Sequence, residues 1–414
     1  MHFDVIVLGG GPAGLGAALA LVRSGAKVAL VDAGSTVGGM STTLRRDNVA
    51  FDLGGHILFV GDGGREAWLR ELLGADLRWV DRPVASIHGG TVVAGRYLDR
   101  RAGNVIGPPP LVPVSDESAA HLLGRLFGNT IVDQAMRPYL EKVDGMPLER
   151  ITAQRARKLL VEQYAPEGFW YPAGGIGQLM DAMGRAVRAG GGAIFTRTHV
   201  EEIGVAGNRI DQISVFGLDG RPLTLTANAL ICAIPATLAA DLMRPPRPAA
   251  MHTALPPRAA IIVALEVATP YLTDHAWIQV DRPDVPFARL AEMKNWSASL
   301  APDNSTVLVC EVYCSPTPDD PWWSMEDAAI GRACAAALIA PLQLMDDASS
   351  ARTIEVIRLP RAWSLIDIDT QDVVSQVTEW LHSIDGVVCA QGGDVMTAIA
   401  AGEHAAAAAS AMCN

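Results

Sequence analysis

The first 32 residues constrain the fold of this chain more than any other segment. An apolar run, Phe3 to Leu8, is followed by a turn with glycine at positions 9, 11 and 14, and then by an Ala- and Leu-rich stretch. A second apolar run, Val28 to Val31, ends next to Asp32. This order predicts a buried strand, a Gly-x-Gly-x-x-Gly turn, a helix and a second buried strand, which together form a dinucleotide-binding unit.

Each glycine of the turn has its own physical reason. Gly9 permits the tight turn off the strand, Gly11 has no side chain that would block a pyrophosphate, and Gly14 lets the helix lie close to the sheet. The start of the helix offers unpaired backbone N–H groups and the positive end of the helix dipole to phosphate oxygens. Asp32 is placed to accept hydrogen bonds from a ribose hydroxyl.

Four later segments narrow the choice of dinucleotide. They are Gly38-Gly39-Met40, residues 52–56 (Asp-Leu-Gly-Gly-His), residues 171–179 (Tyr-Pro-Ala-Gly-Gly-Ile-Gly-Gln-Leu) and residues 389–399, which contain a Gly-Asp pair. Together they resemble the flavoprotein superfamily of amine oxidases, protoporphyrinogen oxidases, phytoene desaturases and UDP-galactopyranose mutases. In that group the acid that ends the second strand is usually Glu, so Asp32 is a mild departure. The resemblance touches both ends and the middle of the chain.

The resemblance implies that the cofactor is FAD, with the second glycine pair beside its phosphates and the turn after Asp52 under its isoalloxazine ring. No cysteine lies in the usual context for covalent attachment, so we expect dissociable FAD. The residues that we expect to bind FAD are Gly9, Gly11, Pro12, Ala13, Gly14, Asp32, Ala33, Gly38, Gly39, Met40, Gly54, Gly55, His56, Val200, Gly393, Asp394, Met396 and Thr397.

Three residues are candidates for the chemistry. His56 resembles the histidine beside the flavin in UDP-galactopyranose mutases, and it either acts on flavin or substrate or caps a turn. Tyr171 either points into the cavity or is a packed aromatic residue beside Phe169 and Trp170. The resemblance places Trp363 on the substrate side of the flavin, where it is either a lid over the ring or part of the core.

The function implied by the resemblance is an FAD-dependent oxidoreductase that transfers hydride from a C–N or C–C bond of a small organic substrate to flavin N5. A redox-neutral mutase or isomerase is the alternative, suggested by the context of His56, with Arg137, Arg155 and Arg157 as candidates for binding a diphosphate. A non-catalytic FAD-bound scaffold is the third possibility. Lys294, the only lysine in residues 165–414, does not firmly match the flavin-proximal lysine of classical amine oxidases.

The predicted fold class is α/β, with a Rossmann-like FAD-binding domain and a second α+β substrate domain of a mixed sheet and helices. We expect the FAD-binding domain to be discontinuous, comprising residues 1–60, 171–240 and 355–414. The substrate domain then comprises residues 61–170 and 241–354. A Pro-rich stretch at 107–113 predicts a stiff connector, and an Ala-rich final helix, from about Met396 to Met412, suits close packing. Apolar residues at helical spacing predict a helix from Ile176 to Ala189, ended by the glycines at 190–192. Thr353 to Leu359 is predicted as a strand.

Charge and composition exclude several classes of partner. The chain has 33 basic and 45 acidic residues, a net charge of −12, with no basic cluster, which argues against nucleic acid and anionic membrane surfaces. No run of 18 apolar residues occurs, so no integral membrane segment is expected. Six cysteines without a Cys-x-x-Cys pair suggest reduced thiols in a cytoplasmic protein. No metal-ligand spacing stands out among the nine histidines.

Overall fold

A computed structural model of the chain describes most of its residues. The Pro-rich connector predicted at 107–113 lies outside the described part. The described residues are 1–60, 63–81, 84–88, 91–94, 116–163, 168–217, 220–347 and 350–413.

The first sheet is built around the first strand of the chain, His2–Leu8. This strand pairs in parallel with Val28–Val31 on one side and with Pro222–Cys232 on the other. Its residues 5–8 are all buried because helices cover both faces of the sheet. The predicted Rossmann-like α/β unit is confirmed. The eight strands of this sheet are His2–Leu8, Val28–Val31, Ala193–Phe195, His199–Ala206, Arg209–Phe216, Pro222–Cys232, Met243–Arg244 and Val387–Cys389.

The second sheet is mixed and draws strands from both predicted insertions. Its last strand runs from Ala351 to Ser364 and pairs along its whole length with Pro257–Val267. The sequence predicted this strand only from Thr353 to Leu359, so residues 355–364, assigned above to the FAD-binding domain, belong to the second sheet. The seven strands are Val84–His88, Thr91–Ala94, Pro257–Val267, Trp277–Gln279, Arg289–Glu292, Thr306–Cys314 and Ala351–Ser364.

Two further pairs of strands stand apart from these sheets: Thr43–Arg46 with Val49–Asp52, and Leu77–Asp81 with Gly168–Pro172. The helix Gln371–His382 was missed by the sequence analysis, although Val377 and Leu381 mark its buried side. In the described part, no helix is long and apolar enough to cross a bilayer. The longer helices are Pro12–Arg23, Gly63–Leu73, Ala119–Phe127, Arg137–Asp144, Ala153–Gln163, Ile176–Ala189, Ala236–Leu242, Asp327–Ile339, Gln371–His382 and Val395–Cys413.

The first and last helices cross in backbone contact. A Cβ atom on Gly402 would collide with the carbonyl oxygen of Ala13, and one on Gly16 would lie 2.6 Å from the carbonyl oxygen of Ile399. The Ala-rich composition of the last helix therefore serves close packing, here mainly against another helix. The crossing therefore places Gly402 of the last helix against Ala13, which belongs to the glycine turn at residues 9–14.

Candidate active site

The three glycines of the turn differ in what surrounds them. Gly9 has a φ of +99°, and a Cβ atom on Gly14 would collide with the carbonyl oxygen of Gly9, so the fold itself requires both glycines. A Cβ atom on Gly11 would meet no protein atom closer than 4.0 Å, and Gly11 has extended backbone angles that any residue adopts. The protein alone does not require glycine at position 11. The free space above it is therefore suited to a ligand.

The start of the first helix faces this space. Pro12 is its first residue, and the capping position, Gly11, contributes no side-chain hydrogen bond. No side chain at the capping position therefore accepts a hydrogen bond from the backbone N–H groups of the first helical turn. A phosphate-binding site requires such N–H groups.

Asp32 fixes the two loops that border the turn. Its Oδ2 atom accepts a hydrogen bond from the N–H of Gly10 and its Oδ1 atom accepts one from the N–H of Gly34, both at 2.6 Å. The N–H of Thr198 donates to the carbonyl oxygen of Asp32 at 2.9 Å. That bond places the strand containing Val200, which is half-buried, close to the exposed Ala33. The ribose contact of Asp32 stays a prediction.

The glycine pair Gly38-Gly39 lies directly on the glycine turn at residues 9–14. The N–H of Gly38 donates to the carbonyl oxygen of Gly10 at 2.7 Å, and a Cβ atom on Gly39 would lie 3.4 Å from the Cα atom of Gly11. Gly38 and Gly39 both have positive φ angles. Met40, next in the chain, is 38 % exposed, so a large apolar side chain borders the open space.

A buried carboxylate joins two of the motifs. Asp52 accepts hydrogen bonds from the Thr43 hydroxyl at 2.6 Å, from the Tyr171 hydroxyl at 2.6 Å and from the N–H of Ile176 at 3.2 Å. Burial raises the pKa of Asp52, and His56 and these hydrogen bonds oppose the rise. Tyr171 has no exposed surface and packs edge-to-face on Phe169 and Trp296. The geometry supports the packed-aromatic alternative for Tyr171, because a fully buried phenol has no surface that a substrate reaches.

We expect Tyr171→Phe to lower the free energy of unfolding by about 1–3 kcal/mol, because the variant removes a hydrogen bond to a buried carboxylate. The turnover number should stay within about twofold. Urea denaturation and steady-state rates measure the two effects. Tyr271→Phe, which removes the hydroxyl of a 47 % exposed tyrosine, is the matched control and should leave stability unchanged. A loss of turnover without a loss of stability would restore Tyr171 as a catalytic residue.

The turn after Asp52 contacts a buried polar cluster of the second sheet. The N–H of Gly55 donates to Oε1 of Glu311 at 3.2 Å, and a Cβ atom on Gly55 would lie 3.8 Å from Nη1 of Arg289. Nη1 of Arg289 is 3.6 Å from Oε1 of Glu311, and the Tyr313 hydroxyl donates to the other carboxylate oxygen. His56 is half-buried, with Nδ1 3.1 Å from the carbonyl oxygen of Gly54.

The cluster of Arg289, Glu311 and Tyr313 keeps its charges paired. Glu311 is only 4 % exposed. Burial acts to lower the pKa of Arg289, but Glu311, Tyr139 and Tyr313 together outweigh it and raise that pKa above its ordinary value. Burial and the neighbouring Glu311 raise the pKa of Tyr313. The sequence analysis missed this cluster. A signal was present, because Glu311 interrupts an otherwise apolar strand and a buried carboxylate requires a partner.

Trp363 lies against the same cluster. Its ring packs edge-to-face on Tyr313 with the ring centroids 5.1 Å apart, and the guanidinium carbon of Arg155 is 5.6 Å from the Trp363 ring. Arg155 in turn pairs with the buried Asp144 at 2.9 Å. The structure therefore brings Trp363 and Gly54–His56 to one cluster, joined through Glu311 and Tyr313.

Lys294 has a structural role. Its ammonium group donates to the carbonyl oxygens of Pro302, Asp303 and Ser305 at 2.6–3.1 Å, and the residue is 4 % exposed. These bonds use all three N–H donors of the ammonium group. They support the expectation that Lys294 does not match the amine oxidase lysine.

The C-terminal Gly-Asp segment forms the start of the last helix. Oδ1 of Asp394 accepts hydrogen bonds from the N–H groups of Met396 at 2.9 Å and Thr397 at 3.0 Å, which is a helix N-cap. Met396 is buried, whereas Gly393 and Thr397 are exposed. The contacts of this segment with FAD stay predictions, and the capping bonds give Asp394 a structural role as well.

Two family models match the chain. One, described as flavin containing amine oxidoreductase, matches residues 96–353, which is more than half of the 414 residues. The other, described as an NAD(P)-binding Rossmann-like domain, matches residues 7–72.

Several solved structures share the fold. A reduced UDP-galactopyranose mutase superposes with a TM-score of 0.76 at 17 % identity, covering 98 % of this chain and 94 % of the other. Wild-type putrescine oxidase bound to putrescine gives 0.71 at 18 % identity, covering 99 % of both chains. An oxidoreductase from Methanosarcina mazei gives 0.71 at 16 % identity, covering 99 % and 100 %. At these identities the similarity is one of fold.

The curated relatives match over a short segment. The soluble pyridine nucleotide transhydrogenase of Marinomonas sp. (strain MWYL1) is 54 % identical over 43 residues, which is 10 % of this chain and 9 % of the relative. That of Vibrio vulnificus (strain YJ016) is 58 % identical over 41 residues, with the same coverage. The chain thus covers about a tenth of each relative.

Proposed function

The chain belongs to the family of flavin-containing amine oxidoreductases and is an FAD-dependent oxidoreductase, and from this premise we propose that it oxidises a C–N or C–C bond of a small organic substrate. The residues fit the cofactor, because the space over Gly11 is free and the glycine pair at 38–39 borders it. Bound FAD supplies the hydride acceptor at N5. The proposal assigns the diphosphate to the glycine turn and the flavin to the turn at Gly54–His56.

The proposed location of the substrate rests on one observation, the hydrogen bond between Gly55 and Glu311. It joins the turn assigned to the flavin to the polar cluster of the second sheet. A substrate held between the flavin and the second sheet would therefore meet Arg289 and Trp363. The cation of Arg289 is suited to orient a polar or anionic substrate group, and Trp363 is suited to cover an apolar part.

In this proposal His56 receives a proton from the substrate. Its Nδ1 atom is within hydrogen-bond distance of the Gly54 carbonyl oxygen, which only accepts, so the neutral ring carries its proton there. Nε2 is then the free acceptor. In the oxidation of a CH–NH unit to C=N, the hydride leaves the carbon and a proton leaves the nitrogen, so a base at this position has a defined task.

An anaerobic substrate panel tests the proposal. The FAD-loaded protein is mixed with primary and secondary amines, amino acids and unsaturated ring compounds, and flavin absorbance is followed. Bleaching by a member of the panel supports oxidation. Product formed only when the flavin is reduced beforehand would instead support the redox-neutral alternative. Arg137 does not support that alternative, because it forms ion pairs with Asp133, Glu141 and Glu149 instead of facing a diphosphate site unpaired.

We expect Trp363→Ala to raise the KM for that substrate about tenfold, because the variant removes a large apolar contact surface. The turnover number should stay within about threefold, since the residue takes no part in proton transfer. Steady-state kinetics measures both values, and Trp363→Phe is the control that retains most of the contact. A fall in the turnover number with an unchanged KM would contradict this assignment.

A further inference from the structure

The helix Ala153–Gln163 presents two cations on one side. Arg155 and Lys158 are three residues apart and therefore share a helix face. Arg155 lies against Trp363, with its guanidinium carbon 5.6 Å from the ring centroid. This face of the helix thus borders the candidate active site.

Lys158 reaches the C-terminal segment that is assigned to FAD. Its Nζ atom is 3.3 Å and its Cε atom 3.6 Å from the position that a Cβ atom on Gly393 would take, and Oγ1 of Thr397 is 3.5 Å from the same position. Lys158 comes from the first insertion, whereas Gly393 lies just before the last helix and Thr397 lies in its first turn. The lysine therefore spans the gap between the two parts of the chain.

The positive charge of the Lys158 ammonium group is available to a ligand. Lys158 is exposed, and among the residues that the structure describes no ion pair neutralises it. Asp394, the acid beside Gly393, uses its carboxylate for the N–H groups of Met396 and Thr397 and for the Thr397 hydroxyl. The start of the last helix adds positive potential at the same place. An anion placed there would meet both.

We propose that Lys158 is an FAD-binding residue, which contacts an anionic group of the cofactor from the first insertion. The inference rests on the proposed position of FAD. The anionic group is either the diphosphate or the flavin ring, which gains negative charge when it takes up electrons. A charge-assisted hydrogen bond to either one would tie the first insertion to the last helix when FAD is bound.

The test compares Lys158→Met, which keeps the length of the side chain, with Lys158→Arg, which keeps the charge. Apoprotein of each is titrated with FAD at low and high salt, and the midpoint potential of bound FAD is measured. Lys27→Met is the control, because it removes one positive charge before the amino end of the strand Val28–Val31, whereas Asp32 follows the carboxyl end of that strand. For a diphosphate contact we expect the Kd for FAD to rise about five- to tenfold in Lys158→Met at low salt and less at high salt.

For a contact with the ring, we expect the ratio of reduced to oxidised FAD in Lys158→Met at a fixed potential to fall about tenfold, which corresponds to about 30 mV for a two-electron couple. Lys158→Arg should retain most of the wild-type value in either case. If Lys158→Met matches Lys27→Met in both Kd and potential, the inference is overturned while the proposed function stands. If the wild-type protein takes up no FAD, the proposed function fails first.

Discussion

Gly11→Val is expected to abolish FAD uptake while the protein stays folded. A Val side chain at this position meets no protein atom near its Cβ, and the backbone already has extended angles that Val adopts without strain. The added methyl groups would fill the space at the start of the first helix that a pyrophosphate requires. Because a bound ligand stabilises only the folded state, added FAD should raise the Tm of the wild type and leave that of the variant unchanged.

Two control variants separate this effect from a general loss of structure. Gly14→Val forces a collision with the carbonyl oxygen of Gly9, so it should unfold the domain with or without FAD. Asp394→Ala removes an exposed helix cap, which costs about 1 kcal/mol of stability, and should weaken FAD binding without abolishing it. The far-ultraviolet circular dichroism of Gly11→Val should match the wild type. Normal FAD uptake by Gly11→Val would refute the assignment of this turn to the diphosphate.

Local patterns explain what the sequence predicted well. The helix Ile176–Ala189 has the bounds that the sequence indicated, because apolar periodicity and the glycines at 190–192 define it without help from distant residues. The Gly-x-Gly-x-x-Gly turn is similarly local, since strand, turn and helix are consecutive. The strand Ala351–Ser364 was predicted too short. Charged residues, Arg352 and Arg361, stand near its two ends, and only pairing with Pro257–Val267 makes these ends part of the sheet.

Long-range pairing explains what the sequence analysis missed. Glu311 meets Gly55 across 256 residues of sequence, so no local pattern could connect them. Tyr171 was open to two interpretations for the same reason. Its partner Asp52 lies 119 residues away, and only the folded chain reveals that the phenol is buried. A charged residue inside an apolar strand is nevertheless a usable sign, because burial of an unpaired charge is costly. Glu311 is such a residue.

His56→Ala should lower the turnover number by about 10²- to 10⁴-fold, the range typical of a proton-transfer group. The hydrogen bond between Nδ1 and the Gly54 carbonyl oxygen leaves Nε2 as an acceptor. The variant keeps the backbone at Gly54 and Gly55, so the Kd for FAD should change by less than about threefold. Anaerobic stopped-flow reduction of bound FAD, with the substrate found in the panel, measures the chemical step directly.

Two further measurements distinguish a base from a residue that only shapes the turn. Added imidazole should restore part of the rate in His56→Ala, because a free base can enter the space that the side chain leaves. His404→Ala, which removes an exposed histidine of the last helix, is the control and should react as the wild type does. If His56→Ala weakens FAD binding and leaves the reduction rate intact, His56 only caps its turn. The proton acceptor would then have to be sought in the cluster around Glu311, where the Tyr313 hydroxyl donates a hydrogen bond to the carboxylate.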